Sequence, residues 1–233
     1  MINNRKFSLI YRIFVLLFIF WGISDNINFF NPFYIARKMM YFTMQSSLLA
    51  LALMSVLIIR TIMDIKNTGT KGSSAYYPIV EKCCIVNLLL TATIYWMVLL
   101  PDKFTMGHKV YMASFENLSV HVFIPLLILL DYIMFCTPVK NRYLSVYVSL
   151  IYPTFYGVLA VIVSFTGLVF RISPKDKGPV YFPYNFLDYS REGLKCILYI
   201  LVIMVIILAF SHLMYFLDRK LFKLKQTDAI HLT

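Results

Sequence analysis

Two side chains in the apolar parts of the chain, Thr43 and His121, are of types that carry out nucleophilic chemistry together. A hydroxyl becomes a nucleophile when a neighbouring imidazole takes its proton. Thr43 lies about three residues inside one apolar segment, and His121 lies about six residues inside another. At a helical rise of about 1.5 Å per residue, they sit roughly 5 and 9 Å below the surface from which each segment enters. The matching depths predict a nucleophile and its general base.

Each polar residue in these segments also has a structural interpretation. A threonine in a membrane helix commonly bonds the carbonyl four residues before it. A buried histidine needs a hydrogen-bonding partner, whether its role is functional or structural. Arg12 is predicted to extend to the headgroups at its own end of the membrane. Asp131 is either a proton-relay carboxylate or a carboxylate that caps a helix or bonds an Asn or Tyr near the surface.

Metal and cofactor chemistry is not indicated. The HExxH, GxSxG and glycine-rich nucleotide motifs do not occur in the sequence, and the four cysteines form no CxxC pair. The sequence therefore predicts no metal and no cofactor. The adjacent Cys83 and Cys84 either pack between helices or are acylated at the membrane boundary.

Composition identifies the elements that must position these side chains. The chain has 233 residues, of which 60% are hydrophobic and 14% charged, whereas a soluble domain has about 25% charged residues. About 18 or more consecutive apolar residues indicate a membrane-spanning helix. The stretches without charge are 39–59, 83–101, 143–170 and 196–217, and the stretches with one charge are 7–24 and 117–139. A soluble enzyme, a secreted disulfide scaffold and a disordered protein are excluded.

The sequence therefore predicts an all-α polytopic membrane protein, a bundle of six transmembrane helices, because a lipid-exposed backbone must satisfy its hydrogen bonds internally. On the fourth span, α-helical spacing places Asn117, His121 and Pro125 on one face. Pro153 predicts a kink in the long fifth span. The membrane domain is predicted over 1–217, with spans near 7–24, 40–62, 80–100, 115–137, 143–170 and 195–217, and a basic tail over 218–233.

The net charge of +11 is explained by the loops between these spans. Lys and Arg are expected in loops on the cytoplasmic side, so the charge does not indicate nucleic acid. With the N-terminus inside, the inner segments hold twelve basic residues and the outer loops nine. This bias, together with the basic tail, predicts that both termini are cytoplasmic. Membrane lipid is the expected partner, and the oligomeric state is left open.

Four short motifs resemble one known family. The string 41–49 (YFTMQSSLL) is similar to the entry of the second span in the androgen-induced (FAR-17a-like) six-span membrane proteins and their bacterial relatives. The His121-x-x-x-Pro125 helix, the Tyr152-Pro153-x-x-Tyr156 element and the outer-loop string 181–188 (YFPYNFLD) resemble other parts of that family in the same order. The likeness covers about 5–217. It departs at Ser47, where Asn is common, and in the residues before His121.

The resemblance implies an intramembrane hydrolase of lipid acyl esters, of the type that cleaves fatty acid esters of hydroxy fatty acids. Thr43 would be its nucleophile and His121 its base, in a bacterial plasma membrane. Oxyanion donors are expected among Gln45, Ser46, Asn117 and Tyr184, and Asp188 or Asn117 is expected to orient His121. The alternative is a non-catalytic lipid-binding or transport protein on the same fold. Transport would require a polar path through the bilayer past Asp131.

Overall fold

Six helices of the computed structural model are long and apolar enough to cross a membrane, which confirms the all-α, six-span prediction. The structure describes residues 2–27, 30–99, 114–136, 143–173 and 178–231. The six helices are α1 (Arg5–Asn26), α3 (Phe42–Thr68), α4 (Pro78–Ile94, continued by a π-helical turn Tyr95–Leu99), α5 (Phe115–Phe135), α6 (Tyr143–Ser164) and α8 (Lys195–His231). The shorter elements are α2 (Pro32–Met39), β1 (Arg171–Ile172), β2 (Pro179–Val180), a 3-10 turn (Asn185–Leu187) and α7 (Tyr189–Glu192).

Helix α4 lies at the centre of the bundle. It packs against α3, α5 and α8, and 56% of its membrane window is buried, compared with 17% for α8. Helix α1 packs against α3 and α5. Helix α8 packs against α4 and the first half of α6. Three small residues of the spans, Ser47, Ala50 and Ala160, are buried, which allows helices to approach each other closely there.

The fifth span differs from its prediction in length and in helix type. Its helix ends at Ser164 and not at residue 170. It begins as a 3-10 helix over Tyr143–Leu150 and becomes α-helical at Ile151, two residues before Pro153. A proline cannot donate to the carbonyl four residues earlier and disfavours α-helix in the residue before it, so the irregular backbone lies N-terminal to the proline. The predicted sixth span and tail form one helix, because α8 continues to His231.

The face of the bundle that carries the N-terminus, called here the N-terminal face, is closed by buried ion pairs. Arg12 is fully buried, and its Nε lies 3.0 Å from Oδ1 of Asp131. Its two terminal nitrogens donate to Thr61 Oγ1 and to the Ser74 carbonyl, each at 3.0 Å. The prediction that Arg12 reaches the headgroups is wrong, and so is the prediction of an Asn, Tyr or helix-cap partner for Asp131. Each charge is the partner of the other, since an ion inside lipid needs a compensating charge.

A second buried pair lies on the same face. Lys82 Nζ lies 2.6 Å from Oδ2 of Asp218, and the Tyr132 hydroxyl donates to the same carboxylate. These three residues come from α4, α8 and α5. The pair therefore joins the last helix to the centre of the bundle, as the Arg12 pair joins the first helix to α5.

Candidate functional site

An apolar cavity of about 380 Å³ lies in the half of the bundle away from the N-terminal face. Its walls come from α3, α4, α6 and α8, and the 184–187 segment covers its end. Cavities of this size are typical of small-molecule sites. Its polar lining residues are Thr43, Thr91, Thr154, Tyr156 and Tyr184, and the remaining lining residues are apolar or glycine.

Thr43 lines this cavity from the first turn of α3. The carbonyl four residues earlier belongs to Met39, the last residue of α2, and it accepts a hydrogen bond from Gln45 Nε2. The serines that follow do show the back-bonding pattern: Ser46 Oγ and Ser47 Oγ donate to the Thr43 carbonyl at 3.0 and 2.8 Å. Ser46, an expected oxyanion donor, is therefore bonded to the backbone of its own helix.

Tyr184 is the predicted site residue that contacts Thr43. Burial raises the pKa of its phenol to about 12, and hydrogen bonds with the Thr43 side chain and with the backbone of Thr43 and Phe42 act in the opposite direction. The phenol therefore lies at the N-terminus of α3, where the first backbone N–H groups have no helical acceptor. It stays neutral at physiological pH and can donate a hydrogen bond.

Two further tyrosines fix the backbone at the entry to α3. The Tyr156 hydroxyl donates to the Met40 carbonyl at 3.0 Å, and the Tyr152 hydroxyl donates to Gln45 Oε1 at 3.1 Å. Gln45 Nε2 in turn donates to the Met39 carbonyl at 3.2 Å. Gln45, another expected oxyanion donor, instead holds α3 to α6 through these bonds. The tyrosines position the first turn of α3 against the cavity.

His121 lies in a turn of α5 that is wider than an α-helical turn. Ser119–Phe123 form a π-helix, in which the Ile124 N–H bonds the Ser119 carbonyl. Pro125 explains the wide turn, because it has no N–H for the His121 carbonyl and its ring crowds that carbonyl. The turn packs against α1, α3 and α4. Turns of this kind are frequent at functional sites.

The His121 ring is buried against Tyr95, with 7% of the residue exposed. The two rings stack with centroids 4.0 Å apart and planes 11° from parallel. Tyr95 begins the π-helical turn of α4 and directly follows Ile94, which lines the cavity. His121 is not among the described residues that line the cavity. The sequence pattern gave no indication that Tyr95 and His121 would stack.

The remaining predicted site residues make contacts of other kinds. Asp188 is buried, forms an ion pair with Arg191 at 3.3 Å and accepts a hydrogen bond from Ser190. Asn117 is buried and its Nδ2 donates to Ser114 Oγ at 3.0 Å. Both residues therefore have local hydrogen-bonding roles at the ends of their helices.

The buried pairs Arg12–Asp131 and Lys82–Asp218 are polar features that sequence reasoning missed. A depth comparison could have found the first pair: Arg12 is seven residues from the start of α1 and Asp131 is four residues from the end of α5, on the same face. At about 1.5 Å per residue, the two lie at depths of roughly 10 and 6 Å. Among the described residues, no group of three or more His, Cys, Asp or Glu side chains could hold a metal ion.

No model of a protein family, no curated protein and no solved structure matches the chain. The likeness to the androgen-induced family therefore remains a prediction from four short motifs. The six-span fold and the cavity stand independently of it.

Proposed function

We propose that the protein is an intramembrane hydrolase that cleaves an acyl ester of a membrane lipid, with Thr43 as the nucleophile. The observation that carries this proposal is the position of Thr43. Its side chain faces an apolar cavity in the membrane-spanning part of the chain and contacts the neutral phenol of Tyr184. An acyl chain fits an apolar cavity, and its ester group would then lie beside a hydroxyl and a hydrogen-bond donor.

The reaction runs in two halves. His121 takes the proton of the Thr43 hydroxyl as the oxygen attacks the ester carbonyl. The tetrahedral oxyanion accepts a hydrogen bond from the Tyr184 phenol. On collapse the ester C–O bond breaks, and the leaving alcohol takes the proton from His121, which leaves an acyl-threonine. Water then attacks the acyl-threonine with His121 as base, releases the fatty acid and restores the Thr43 hydroxyl.

This mechanism requires the His121 imidazole to come within about 3 Å of the Thr43 hydroxyl during the reaction. The π-helical turn that carries His121 packs against α3, the helix that carries Thr43. The imidazole would have to move toward α3 from its stacked position on Tyr95 for this contact to form.

We also propose that the protein lies in a bacterial plasma membrane with both termini in the cytoplasm. An even number of spans places the termini on one side, and the charge bias favours the cytoplasm. A membrane-impermeant thiol reagent applied to intact cells should then label Ala36→Cys and not Asn67→Cys. The reverse labelling would overturn the orientation.

The test of the hydrolase is cleavage of a panel of acyl esters, including branched esters of hydroxy fatty acids, by the purified full chain in detergent. Thr43→Ala and His121→Ala should each lower kcat/KM at least a thousandfold. Thr154→Ala is the matched control, because Thr154 lines the same cavity but lies on the α6 wall. Its activity should stay within about threefold of the wild type.

Two results would contradict the hydrolase. Equal hydrolysis by wild type and both variants would identify a contaminating esterase. No hydrolysis by any of them, with fluorescent fatty acid still bound in the cavity, would favour the non-catalytic lipid-binding protein. A fluorophosphonate gives an independent readout, since it should modify Thr43 in the wild type and leave His121→Ala unlabelled.

A further inference from the structure

Cationic side chains lie near Tyr41 and the 184–187 segment that covers the end of the cavity, a region called here the rim. Arg37, Lys38 and Arg171 all lie near enough to Tyr41 to lower the pKa of its phenol against the effect of burial, which raises it. The Tyr41 ring meets the Tyr184 ring edge-on, with centroids 5.5 Å apart, and Tyr184 lines the cavity. The positive charges are therefore one aromatic ring away from the Thr43 site.

Each arginine donates a hydrogen bond at this rim, and the Arg37 guanidinium also lies over the Tyr34 ring, 5.3 Å from its centroid. Arg37 Nη1 donates to the Phe170 carbonyl at 3.3 Å. Arg171 donates to the side-chain oxygen of Asn185, which lies between the cavity-lining Tyr184 and Phe186. Both arginines are partly exposed, so a ligand can reach them.

The charges of these two arginines are not balanced within the described part of the chain. Neighbouring cations do have acidic partners: Lys38 pairs with Glu116, and Arg191 pairs with Asp188, each at 3.3 Å. No ion pair involves Arg37 or Arg171 among the described residues. Two guanidinium groups at one rim can bind an oxyanion through forked hydrogen bonds.

We propose that Arg37 and Arg171 bind the phosphate of an anionic glycerophospholipid whose acyl chain occupies the cavity. The order of groups along such a lipid matches the order in the protein. Phosphate comes first, the glycerol ester lies next toward the bilayer centre, and the acyl chain follows. In the protein, the arginines lie at the rim, Thr43 lies in the first turn of α3, and the apolar cavity lies beyond it. The inference rests on the proposed function in one respect: it takes the glycerol ester as the bond that the protein cleaves.

The test measures binding and not turnover. Full-length protein carrying Thr43→Ala is titrated in detergent with phosphatidylglycerol and with diacylglycerol of the same acyl chains, which lacks the phosphate, and affinity is read by native mass spectrometry. Phosphatidylglycerol should bind at least fivefold more tightly. In Arg37→Gln/Arg171→Gln the preference should fall below twofold.

A variant with equal charge loss is the matched control. Arg60 and Arg219 lie near the N-terminal face, where they contact Tyr77 and Tyr215. The double variant Arg60→Gln/Arg219→Gln should keep the fivefold preference. If the rim double variant does not fold, Arg37→Gln alone replaces it, because that guanidinium makes a single hydrogen bond in the described structure. It should at least halve the preference.

Equal binding of the two lipids by the parent, or an unchanged preference in the rim variants, would overturn the phosphate site. Competition by oleate without competition by phosphatidylglycerol would also overturn it, in favour of a carboxylate ligand. The outcomes separate the two proposals. A phosphatidylglycerol preference without hydrolysis of any ester leaves the headgroup site standing and removes the hydrolase. Hydrolysis of neutral esters without that preference would remove the headgroup site and leave the hydrolase standing.

Discussion

At the scale of single residues, the site depends on a contact between a hydroxyl and a phenol. Thr43 and Tyr184 are 141 positions apart in the chain, and they meet because the 184–187 segment folds over the first turn of α3. The phenol lies close to both the side chain and the backbone of that turn. This position suits the role proposed for the phenol, that of a donor to the oxyanion of the ester-cleaving reaction.

Removal of the phenol hydroxyl should lower the rate of hydrolysis and leave substrate binding intact. Tyr184→Phe keeps the ring that stacks on Phe186 and loses the donor. Loss of one oxyanion donor costs about 10²–10³ in kcat, so steady-state kinetics should show a fall of that order with a small change in KM. Tyr181→Phe is the control, since Tyr181 is an exposed residue of the same loop. A Tyr184→Phe enzyme with wild-type kcat would contradict the role.

The raised pKa of Tyr184 also fixes the sign of a pH effect on stability. Its folded pKa is about 12, above the unfolded value of about 10. The folded state thus holds the phenol proton more tightly, and the resulting stabilisation is complete below pH ~10 and is lost between about pH 10 and 12. The melting temperature of the wild type should fall over that pH range by more than the melting temperature of Tyr184→Phe.

Sequence reasoning could find some of these residues and not others. Thr43 was predicted from its depth in an apolar segment, and it does line the cavity. The role of Tyr184 could not be obtained from spacing, since a loop residue has no periodicity to place it. The partners of Arg12 and Asp131 were missed because each was considered within its own helix, whereas ion pairing in lipid is decided between helices.

At the scale of elements, the sequence predicted where the membrane helices lie but not their irregular turns. Uncharged length is sufficient to predict a span, because the cost of a charge in lipid exceeds other local preferences. The π-helical turn at Ser119–Phe123 depends on the loss of one backbone donor at Pro125 and on packing with three neighbouring helices. As a result, the predicted common face of Asn117, His121 and Pro125 is interrupted by an extra residue in the turn.

The role of the π-helical turn can be tested by restoring the backbone N–H that Pro125 lacks. In Pro125→Ala the new N–H can bond the His121 carbonyl, so the turn can close to α-helical geometry and rotate the imidazole by up to about 100°. Thermal stability in detergent should be unchanged or higher, while kcat/KM should fall at least about tenfold, since small displacements of a catalytic group are costly. Pro78→Ala, in the regular first turn of α4, is the control and should retain full activity. Undiminished hydrolysis by Pro125→Ala would show that the wide turn has no part in the reaction.

At the scale of the whole molecule, the two halves of the bundle differ in what fills them. The half beside the N-terminal face holds the ion pairs Arg12–Asp131 and Lys82–Asp218, which join α1 to α5 and α4 to α8. Breaking such a buried pair costs about 3–5 kcal/mol, so this half resists separation of its helices. The opposite half holds the cavity, whose walls come from α3, α4, α6 and α8. A bundle fixed at one end can keep an apolar space open at the other.

The size of that space should determine which acyl chains the protein accepts. Gly157 lines the cavity, and a Cβ added there meets no atom within 4 Å. Gly157→Phe should therefore fold normally and fill part of the cavity with its ring. The ratio of kcat/KM for a palmitoyl ester to that for a butyryl ester should fall at least tenfold. Gly157→Ala should keep the ratio and raise stability by about 0.5–1 kcal/mol through its higher helix propensity.

The control for the added ring is Ala52→Phe, because Ala52 lies on the exposed surface of α3. That variant should keep the wild-type chain-length preference, so any shift in Gly157→Phe is due to the cavity and not to a bulkier membrane surface. The same variants report on a protein without hydrolase activity, since Gly157→Phe should then weaken binding of a long-chain fluorescent fatty acid and spare a short one. Unaltered selectivity by both measures would mean that the acyl chain lies outside this cavity, and the assignment of Thr43 as the nucleophile would lose the observation on which it depends.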